Sequence, residues 1–274
     1  MSVIKPCYQS YQSYLQTVVQ EPYSQWSFKQ HPSYLEILEN VGKDYGIQYL
    51  YLIEQEYPMV TFDILRKYVY INDKYGNANK MIFTTQNHRL LYCSPSSLRY
   101  VYHALILLTK FQASGCQHIL ELGCGYGGLC LAVQILAPLF TDICIGKGGE
   151  NVQQLTYVMI DLPEACALTR AYLQVHQPYI STEIKIMDDV KNVDMNDGSY
   201  FLVSNYCFSA LSREWQTEYR VHLVDHCSHG WITWQTCFGD SIEHSMGLLG
   251  KHGQGDEEKP QTAPIDMKNY WIHF

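Results

Sequence analysis

The sequence predicts an α/β fold in which a Rossmann-like sheet carries helices on both faces and follows a helical N-terminal region. After residue 115, apolar strand candidates alternate with helix candidates, and a glycine-rich turn joins the first strand to the first helix in "HILELGCGYGGLCLAV". Such alternation is typical of a parallel sheet covered on both faces. Before residue 115 helix signals dominate. We therefore expect a helical cap over residues 1–114 and a Rossmann-like domain over residues 115–274.

The bulk composition describes a globular protein, since the 274 residues are 47% hydrophobic and 17% charged. A formal net charge of -8 without any basic run argues against nucleic-acid or membrane partners, because both bind clustered Lys and Arg. The start "MSVIKPCYQS" lacks an apolar signal core, and no stretch reaches the roughly 18 apolar residues of a membrane helix. The ten cysteines form no C-x-x-C pair. We expect a cytoplasmic protein with reduced thiols.

Three helices are expected in the N-terminal region. Ser33 and Glu36 form a capping-box pattern, which predicts a helix that stops at Gly42. The segment "MVTFDILRKYVYIND" has a helical pattern and precedes the turn "KYGNAN". The third helix covers "PSSLRYVYHALILLTKFQAS", with Ser94 as its N-cap and a glycine behind it. Its apolar face is expected to pack on the sheet.

After residue 115, five apolar segments are expected to form strands. They are "HILEL", "TYVMID", "EIKIMD", "YFLVSNY" and "GWITWQT". The helix candidates between them run from Gly128 to Ala137, from Glu164 to Gln174 and from Arg213 to Asp225. The final segment "NYWIHF" is expected to close the sheet as an edge strand, and residues 146–151 and 250–260 are expected to be exposed loops.

The glycine turn fits two ligand-binding patterns. Gly123, Gly125 and Gly128 match the dinucleotide fingerprint G-x-G-x-x-G. Glu121, with Gly123, Gly125 and Gly127, matches E-x-G-x-G-x-G, the pattern of S-adenosylmethionine-dependent methyltransferases. The charge of the ligand separates the two, because a carboxylate at Glu121 would repel a pyrophosphate and attract the ammonium of S-adenosylmethionine. The sequence therefore favours the second pattern.

Acidic and polar residues follow the later strands. Asp161 ends the strand "TYVMID" and is expected to accept hydrogen bonds from ribose hydroxyls, whereas Asp142, at the spacing of the dinucleotide rule, follows a poor strand. Asp188 and Asp189 follow "EIKIM", and one of them is expected to meet the adenine amino group. Ser204, Asn205 and Tyr206 lie where the fourth strand ends, at the usual binding edge of an open α/β sheet; Asn205 as a turn cap is an equal alternative.

The series "ILELGCGYGGL", "YVMIDLPEACAL" and "YFLVSNYCFSALSREWQTEY" resembles the putative sugar O-methyltransferase family of class I methyltransferases. The likeness covers about residues 90–240. "IDLPE" and the SNY-x-FSALS segment point to the sugar group, whereas the acid-glycine motif alone identifies only the superfamily. The resemblance implies S-adenosylmethionine as cofactor. The cofactor-binding residues are then expected to be Glu121, Gly123, Cys124, Gly125, Gly127, Asp161, Leu162, Asp188, Asp189, Ser204 and Asn205.

Histidines are the candidate bases. His244 lies four residues after Asp240, so both would share one helical face, and the carboxylate could orient the imidazole. His88 lies in "TTQNHRLLY", which can reach the same crevice. A divalent metal at the Asp240–His244 pair is an alternative that we do not expect, because no oxygen-rich ligand set is evident.

The sequence thus predicts an O-methyltransferase that moves a methyl group from S-adenosylmethionine to a hydroxyl of a sugar or glycan. Positioning of the hydroxyl would supply most of the catalysis. The alternatives are methylation of a non-sugar small molecule, a nicotinamide-dependent oxidoreductase, and a non-catalytic binding module on the same fold.

Overall fold

The computed structural model describes residues 6–38, 41–140, 155–195, 199–236, 247–251 and 253–274. In these ranges the helices are α1 (Pro6–Val18), α2 (Pro32–Leu35), α3 (Lys43–Glu56), α4 (Phe62–Asn72), α5 (Pro95–Ser114), α6 (Gly128–Leu136), α7 (Pro163–Val175), α8 (Cys207–Ala210) and α9 (Arg213–His222). The strands are β1 (Met81–Thr84), β2 (Leu90–Cys93), β3 (His118–Leu122), β4 (Thr156–Ile160), β5 (Glu183–Met187), β6 (Tyr200–Asn205), β7 (His229–Gln235), β8 (Gln254–Glu257) and β9 (Asn269–His273).

A seven-stranded sheet in the order β5-β4-β3-β6-β7-β9-β8 forms the centre of the molecule. The strands from β3 to β7 are parallel, and β9 runs antiparallel to both of its neighbours. One hydrophobic cluster joins this sheet to α5, α6 and α7, and a second joins its opposite face to α8 and α9. The expected Rossmann-like sheet with helices on both faces is confirmed.

The C-terminal hairpin differs from the expectation. The segment "NYWIHF" forms β9, but β9 is not the edge strand, because β8 pairs along its outer side. Ile272 and Trp271 of β9 are accordingly buried. The exposed strand β8 lies in a segment that we expected to be a loop. Its sequence, "QGDE", contains no apolar residue, so hydrophobic patterning could not indicate it; backbone pairing with β9 forms the strand.

The N-terminal region also departs from the expectation in part. Helix α5 begins after Ser94, whose hydroxyl accepts a hydrogen bond from the Ser97 amide, and ends at Gly115 with φ of 67°. The prediction of a helix that stops at Gly42 is wrong, because α2 is one turn long and Gly42 is instead the N-cap of α3. Strands β1 and β2 pair as an antiparallel hairpin, so the region is not helical throughout.

The N-terminal region shares its core with the sheet. A single hydrophobic cluster includes Leu15 of α1, Tyr49 of α3 and Tyr68 of α4 together with Ile119 of β3 and Tyr157 of β4. Packing of this kind couples the stability of the two parts. A division of the chain near residue 115 stays a prediction. None of the described helices is long and apolar enough to cross a membrane.

Candidate functional site at the carboxyl edge of the sheet

A tight glycine turn connects β3 to α6. Gly123, Gly125 and Gly127 have φ of 85°, 59° and 88°, a region that L side chains rarely adopt. The amide of Gly123 donates to the carbonyl of Ile160 at 2.8 Å, which ties the turn to the end of β4. A Cβ atom on Gly123 would lie 2.2 Å from the Cβ of Cys207. Backbone conformation and close approach both require glycine at position 123.

Glu121 lies in β3, on the sheet face that carries α5 and α6. Its side chain is only 4% exposed, and one carboxyl oxygen accepts a hydrogen bond from the hydroxyl of Tyr157 at 3.0 Å. Burial raises the pKa of Glu121 to about 8; the Tyr157 hydrogen bond opposes the rise, and the charge of Asp161 adds to it. At neutral pH this group is therefore mainly a protonated, neutral acid.

Asp161 directly follows β4 and links the turn to α7. Its Oδ2 accepts the amide proton of Gly125 at 2.8 Å, and its Oδ1 accepts that of Leu162 at 2.7 Å. Burial raises the pKa of Asp161 to about 6, although both backbone hydrogen bonds lower it. The carboxylate is thus already engaged with the backbone on both oxygens, and its contact with ribose hydroxyls stays a prediction.

Two carboxyl groups therefore lie beside the glycine turn, Glu121 buried and Asp161 half-buried. Among the described residues, no Lys, Arg or His forms an ion pair with Glu121 or Asp161. Cys124, between them, is also buried, and its Sγ lies 3.5 Å from the hydroxyl of Thr169. Ionising the buried Glu121 without a counter-charge is costly, which is why it stays mainly protonated. A cationic ligand would relieve that cost, and a pyrophosphate would increase it.

The N-terminal segment covers this end of the sheet. Tyr11 of α1 is buried; burial raises the pKa of its hydroxyl, and the nearby charge of Asp161 raises it further. Gln16 donates to the carboxylate of Glu164 at 2.9 Å, which joins α1 to α7. A Cδ atom of Leu38 lies 3.2 Å from the place that a Cβ would take on the second glycine of the turn. A ligand at the turn would have to displace these side chains.

The acidic pair after β5 is exposed. The carboxylate of Asp189 accepts the amide proton of Lys191 at 3.0 Å and so caps the short turn that follows. This local role separates Asp189 from its neighbour Asp188. The contact of either residue with adenine stays a prediction.

The two polar residues at the end of β6 have different environments. The buried hydroxyl of Ser204 donates to the carbonyl of Leu122 at 3.0 Å and accepts the amide proton of Phe208 at 3.1 Å. Asn205 is half-buried, and its Oδ1 accepts a hydrogen bond from the hydroxyl of Thr233 at 3.0 Å. Both residues therefore have hydrogen bonds within the chain, and the contact of either with a ligand stays a prediction.

A polar cluster beyond β6 was missed by the sequence analysis as a site. Tyr206 has φ of 62°, an uncommon conformation for an aromatic residue, and its hydroxyl donates to the buried carboxylate of Glu258. Arg99 lies over the Tyr206 ring at 5.6 Å from its centroid. His103 lies 6.1 Å from the same ring, centroid to centroid, and its buried Nε2 has no hydrogen-bond partner among the described residues.

His103 lies within α5, where its position in an apolar helix gives no signal of a catalytic role. Burial, followed by the charge of Arg99, lowers the pKa of its imidazole well below the usual range. The ring is therefore neutral at physiological pH, which is the form that can accept a proton. The unusual backbone of Tyr206 could not be inferred from its residue type either.

The expected base residues are not brought to this edge by any described contact. His244 and Asp240 lie outside the described residues. His88 is exposed in the turn between β1 and β2, with φ of 57°. The neighbouring Arg89 contacts the Phe62 ring at the start of α4, which places the hairpin turn beside that helix. In the part of the chain that the structure describes, no group of three or more His, Cys, Asp or Glu is placed to hold a metal ion.

Comparisons with known proteins give matches only among solved structures; no family model and no curated protein matches the chain. The N-terminal domain of EvdMO1, solved with SAH and D-fucose, is 12% identical, covers 64% of this chain and 81% of its own, and has a TM-score of 0.42. The magnesium protoporphyrin IX methyltransferase ChlM from Synechocystis PCC 6803 is 11% identical, covers 85% and 97%, and scores 0.42. The methyltransferase domain of bacterial-CtHen1-CN is 10% identical, covers 63% and 96%, and scores 0.42. The sequence identities and TM-scores are low, so the fold is assigned from the strand order of this chain.

Proposed function

We propose that this chain is an S-adenosylmethionine-dependent O-methyltransferase that acts on a hydroxyl of a sugar or glycan. The observation that carries the proposal is the pair of acids beside the glycine turn, buried Glu121 and half-buried Asp161, with which no basic residue of the described ranges forms an ion pair. S-adenosylmethionine has a positively charged ammonium and sulfonium and no phosphate, so its charge complements this pair. The enzyme is proposed to work in the cytoplasm, without membrane or nucleic-acid partners.

In this proposal different residues at and near the turn contact different parts of the cofactor. Glu121 ionises and pairs with the ammonium group, and Asp161 accepts hydrogen bonds from the ribose hydroxyls. Cys124 and Leu162 contribute backbone groups beside them. Asp188 reaches the adenine amino group, since the carboxylate of Asp189 already caps its own turn.

The bound cofactor supplies a methyl group on a cationic sulfur. As the acceptor oxygen forms its bond to that methyl carbon, the carbon–sulfur bond breaks and the hydroxyl proton must leave. The chain holds the acceptor near Asn205 and Tyr206, and a side chain that takes the proton aids the transfer. His244 with Asp240, and His88, remain candidate bases; His103 is a further candidate because its ring lies beside Tyr206 and its buried Nε2 has no hydrogen-bond partner among the described residues.

The proposal of a sugar acceptor rests on the resemblance of "IDLPE" and the SNY-x-FSALS segment to the sugar group of class I methyltransferases. A non-sugar acceptor would use the same cofactor site, so the two cases differ only in the residues that contact the acceptor. Acceptor specificity must therefore be tested separately from cofactor binding.

Thermal unfolding with S-adenosylhomocysteine or NAD tests the cofactor. A ligand that binds only the folded state raises the unfolding midpoint. We expect S-adenosylhomocysteine to raise the midpoint and NAD to leave it unchanged. The rise should be reduced in Glu121→Gln and unchanged in Glu214→Gln, a matched change at an exposed position of α9. Stabilisation by NAD alone would overturn the proposal.

Incubation with S-adenosylmethionine and a panel of methyl glycosides, read by mass spectrometry, tests the acceptor. We expect a mass increase of one methylene group on at least one glycoside. Cofactor binding together with transfer only to a phenol would replace the sugar by a non-sugar acceptor. Cofactor binding without any transfer would favour a binding module.

A further inference from the structure

A thiol and an imidazole meet at the amino edge of the sheet, opposite to the glycine turn. Cys116 lies two residues before β3, and His229 is the first residue of β7. Both strands pair in parallel with β6, so their starts lie at the same edge of the sheet. The Sγ atom of Cys116 is 3.7 Å from Nδ1 of His229. The sheet therefore brings a nucleophile and a base into contact from distant parts of the chain.

The imidazole of His229 has a second contact at the same atom. Oγ of Ser228 lies 2.9 Å from Nδ1. When the ring proton is on Nε2, Nδ1 accepts hydrogen bonds from the hydroxyl and from the thiol. The neutral ring in this form can take the proton of the thiol. Because the thiolate is the reactive form of cysteine, a base at this distance activates Cys116 as a nucleophile.

Cys116 is also more accessible than most of the described cysteines. Cys116 and Cys207 are half-buried, whereas five others are buried: Cys93, Cys124, Cys130, Cys166 and Cys227. Burial raises the pKa of the Cys207 thiol far above its usual range, so this thiol stays protonated. Among the described cysteines, Cys116 therefore combines partial exposure with an imidazole contact.

A positive charge lies beside this pair. Nζ of Lys251 donates to the carbonyl oxygen of Cys227 at 2.8 Å, two residues before His229. Burial raises the pKa of the Cys227 thiol; the charge of Lys251 lowers it and that of Cys116 raises it, so both groups lie near this thiol. The carboxylate of Asp225 is 3.6 Å from Nε of Arg220, which compensates its charge. The ammonium of Lys251 would therefore attract an anionic reactant.

We propose that Cys116 is a site of reversible thiolation by an anionic low-molecular-weight disulfide. Sγ of Cys116 attacks one sulfur of the disulfide, so that a new S–S bond forms and the old one breaks. Nδ1 of His229 takes the thiol proton and returns it to the departing thiolate, which leaves as a thiol. Cys116 is oxidised, and the released half of the disulfide is reduced. The inference is independent of methyl transfer, because it concerns residues at the opposite edge of the sheet.

Incubation of the full chain with glutathione disulfide near neutral pH, read by mass spectrometry and peptide mapping, tests this proposal. We expect one glutathionyl group on the peptide that contains Cys116, and its removal by dithiothreitol. The rate of modification should fall by about ten-fold or more in His229→Gln, because the thiol loses its base. His226→Gln, a matched change at an exposed position nearby, should react as the unchanged protein does. The unfolding midpoint checks that both variants fold.

Lys251→Met tests the charge of the reactant. This variant should react more slowly with glutathione disulfide and at an unchanged rate with the uncharged bis(2-hydroxyethyl) disulfide. An equal effect on both reagents would contradict an anionic reactant.

Two further results would overturn the proposal. They are preferential modification of another cysteine, and equal rates in His229→Gln and His226→Gln. Modification of Cys116 in a chain that fails to bind S-adenosylhomocysteine would remove the proposed function and leave this inference intact.

Discussion

The acidic side chains at the two halves of the carboxyl edge of the sheet have different surroundings. At the ends of β3 and β4, Glu121 and Asp161 lie close together, and burial raises the pKa of both. At the far half, Glu258 is buried as Glu121 is, but it accepts hydrogen bonds from Tyr206, from the amide and hydroxyl of Thr262, and from the side-chain amide of Asn269. In the described ranges no cation forms an ion pair with Glu121 or Asp161, whereas Glu258 has hydrogen-bond donors from within the chain.

This difference separates an acid that stabilises the fold from acids that would gain from a bound ligand. A buried carboxylate with four donors is stable as it is and holds the C-terminal hairpin against β6. A neutral acid at Glu121 makes one side-chain hydrogen bond and gains most from a ligand that lets it ionise. The comparison therefore supports the proposal that the cofactor binds at the β3–β4 half and that the acceptor is held at the β6–β9 half.

Gly123→Ala should have the largest effect, because it disturbs the place where the halves meet. The new Cβ would collide with Cys207 at 2.2 Å in a backbone region that disfavours alanine. We expect a loss of about 2–5 kcal/mol in the free energy of unfolding, measured by urea titration. Gly247→Ala, where no atom lies within 4 Å of the new Cβ, should change it by less than about 0.5 kcal/mol. Equal effects in both variants would contradict the close packing of the turn.

His103→Gln tests whether His103 takes the proton from the acceptor hydroxyl. If its neutral imidazole takes the acceptor proton, kcat should fall by about 10²-fold or more, with S-adenosylhomocysteine affinity unchanged. The acidic limb of the pH–rate profile should also change, which loss of packing alone would not cause. An unaltered kcat would leave the role to His244 or His88.

Conservative changes of the buried acids should have opposite effects on stability. Glu258→Gln removes one of the two acceptor oxygens and should lower the free energy of unfolding by about 1–3 kcal/mol near pH 7.

The pKa of Glu121 is raised on folding, so its favourable contribution to the free energy of unfolding is complete below the unfolded pKa near 4.5 and is lost as pH rises toward 8. Glu121→Gln should abolish this decline, worth up to about 3 kcal/mol at pH 7. Parallel urea titrations between pH 5 and 8 measure both, and a pH-independent difference between Glu121→Gln and the unchanged protein would argue against the buried neutral acid.

Leu38→Ala should have the smallest effect. Its side chain lies against the second glycine of the turn, so a ligand bound there in the proposed way would displace it. Shortening it should tighten S-adenosylhomocysteine binding by about two- to five-fold, measured by calorimetry, because less of the binding energy is used to open the site. Ile265→Ala, at a 92% exposed position, is the control. Weaker binding in Leu38→Ala would make Leu38 part of the ligand contact surface.

Much of the sheet could be predicted from the sequence because its parallel strands are buried on both faces. The apolar runs of β3, β4, β6 and β7 and the glycines beside Glu121 carry that signal directly. By contrast, β8 has no apolar residue, and α3 mixes polar and tyrosine positions, so neither has a clear pattern. Both form through tertiary contacts, with β9 and with α5.

The candidate site could be predicted only in part for a similar reason. Strand ends place Glu121 and Asp161 at one edge whatever the side-chain detail, so their neighbourhood followed from topology. The association of His103 with Tyr206, and of Glu258 with the same tyrosine, joins α5, β6 and the C-terminal hairpin across long stretches of chain. Such distant contacts leave no local trace in residue order. The role of Asp240 and His244 remains a prediction.

Proton release on cofactor binding tests the central claim most directly. Glu121 is mainly protonated at pH 7 and should ionise when an ammonium group binds beside it. Calorimetric titration with S-adenosylhomocysteine in buffers of different ionisation enthalpy should therefore show release of most of one proton per ligand, and Glu121→Gln should release clearly less. Binding enthalpy that is the same in every buffer, or release that persists in Glu121→Gln, would contradict the account.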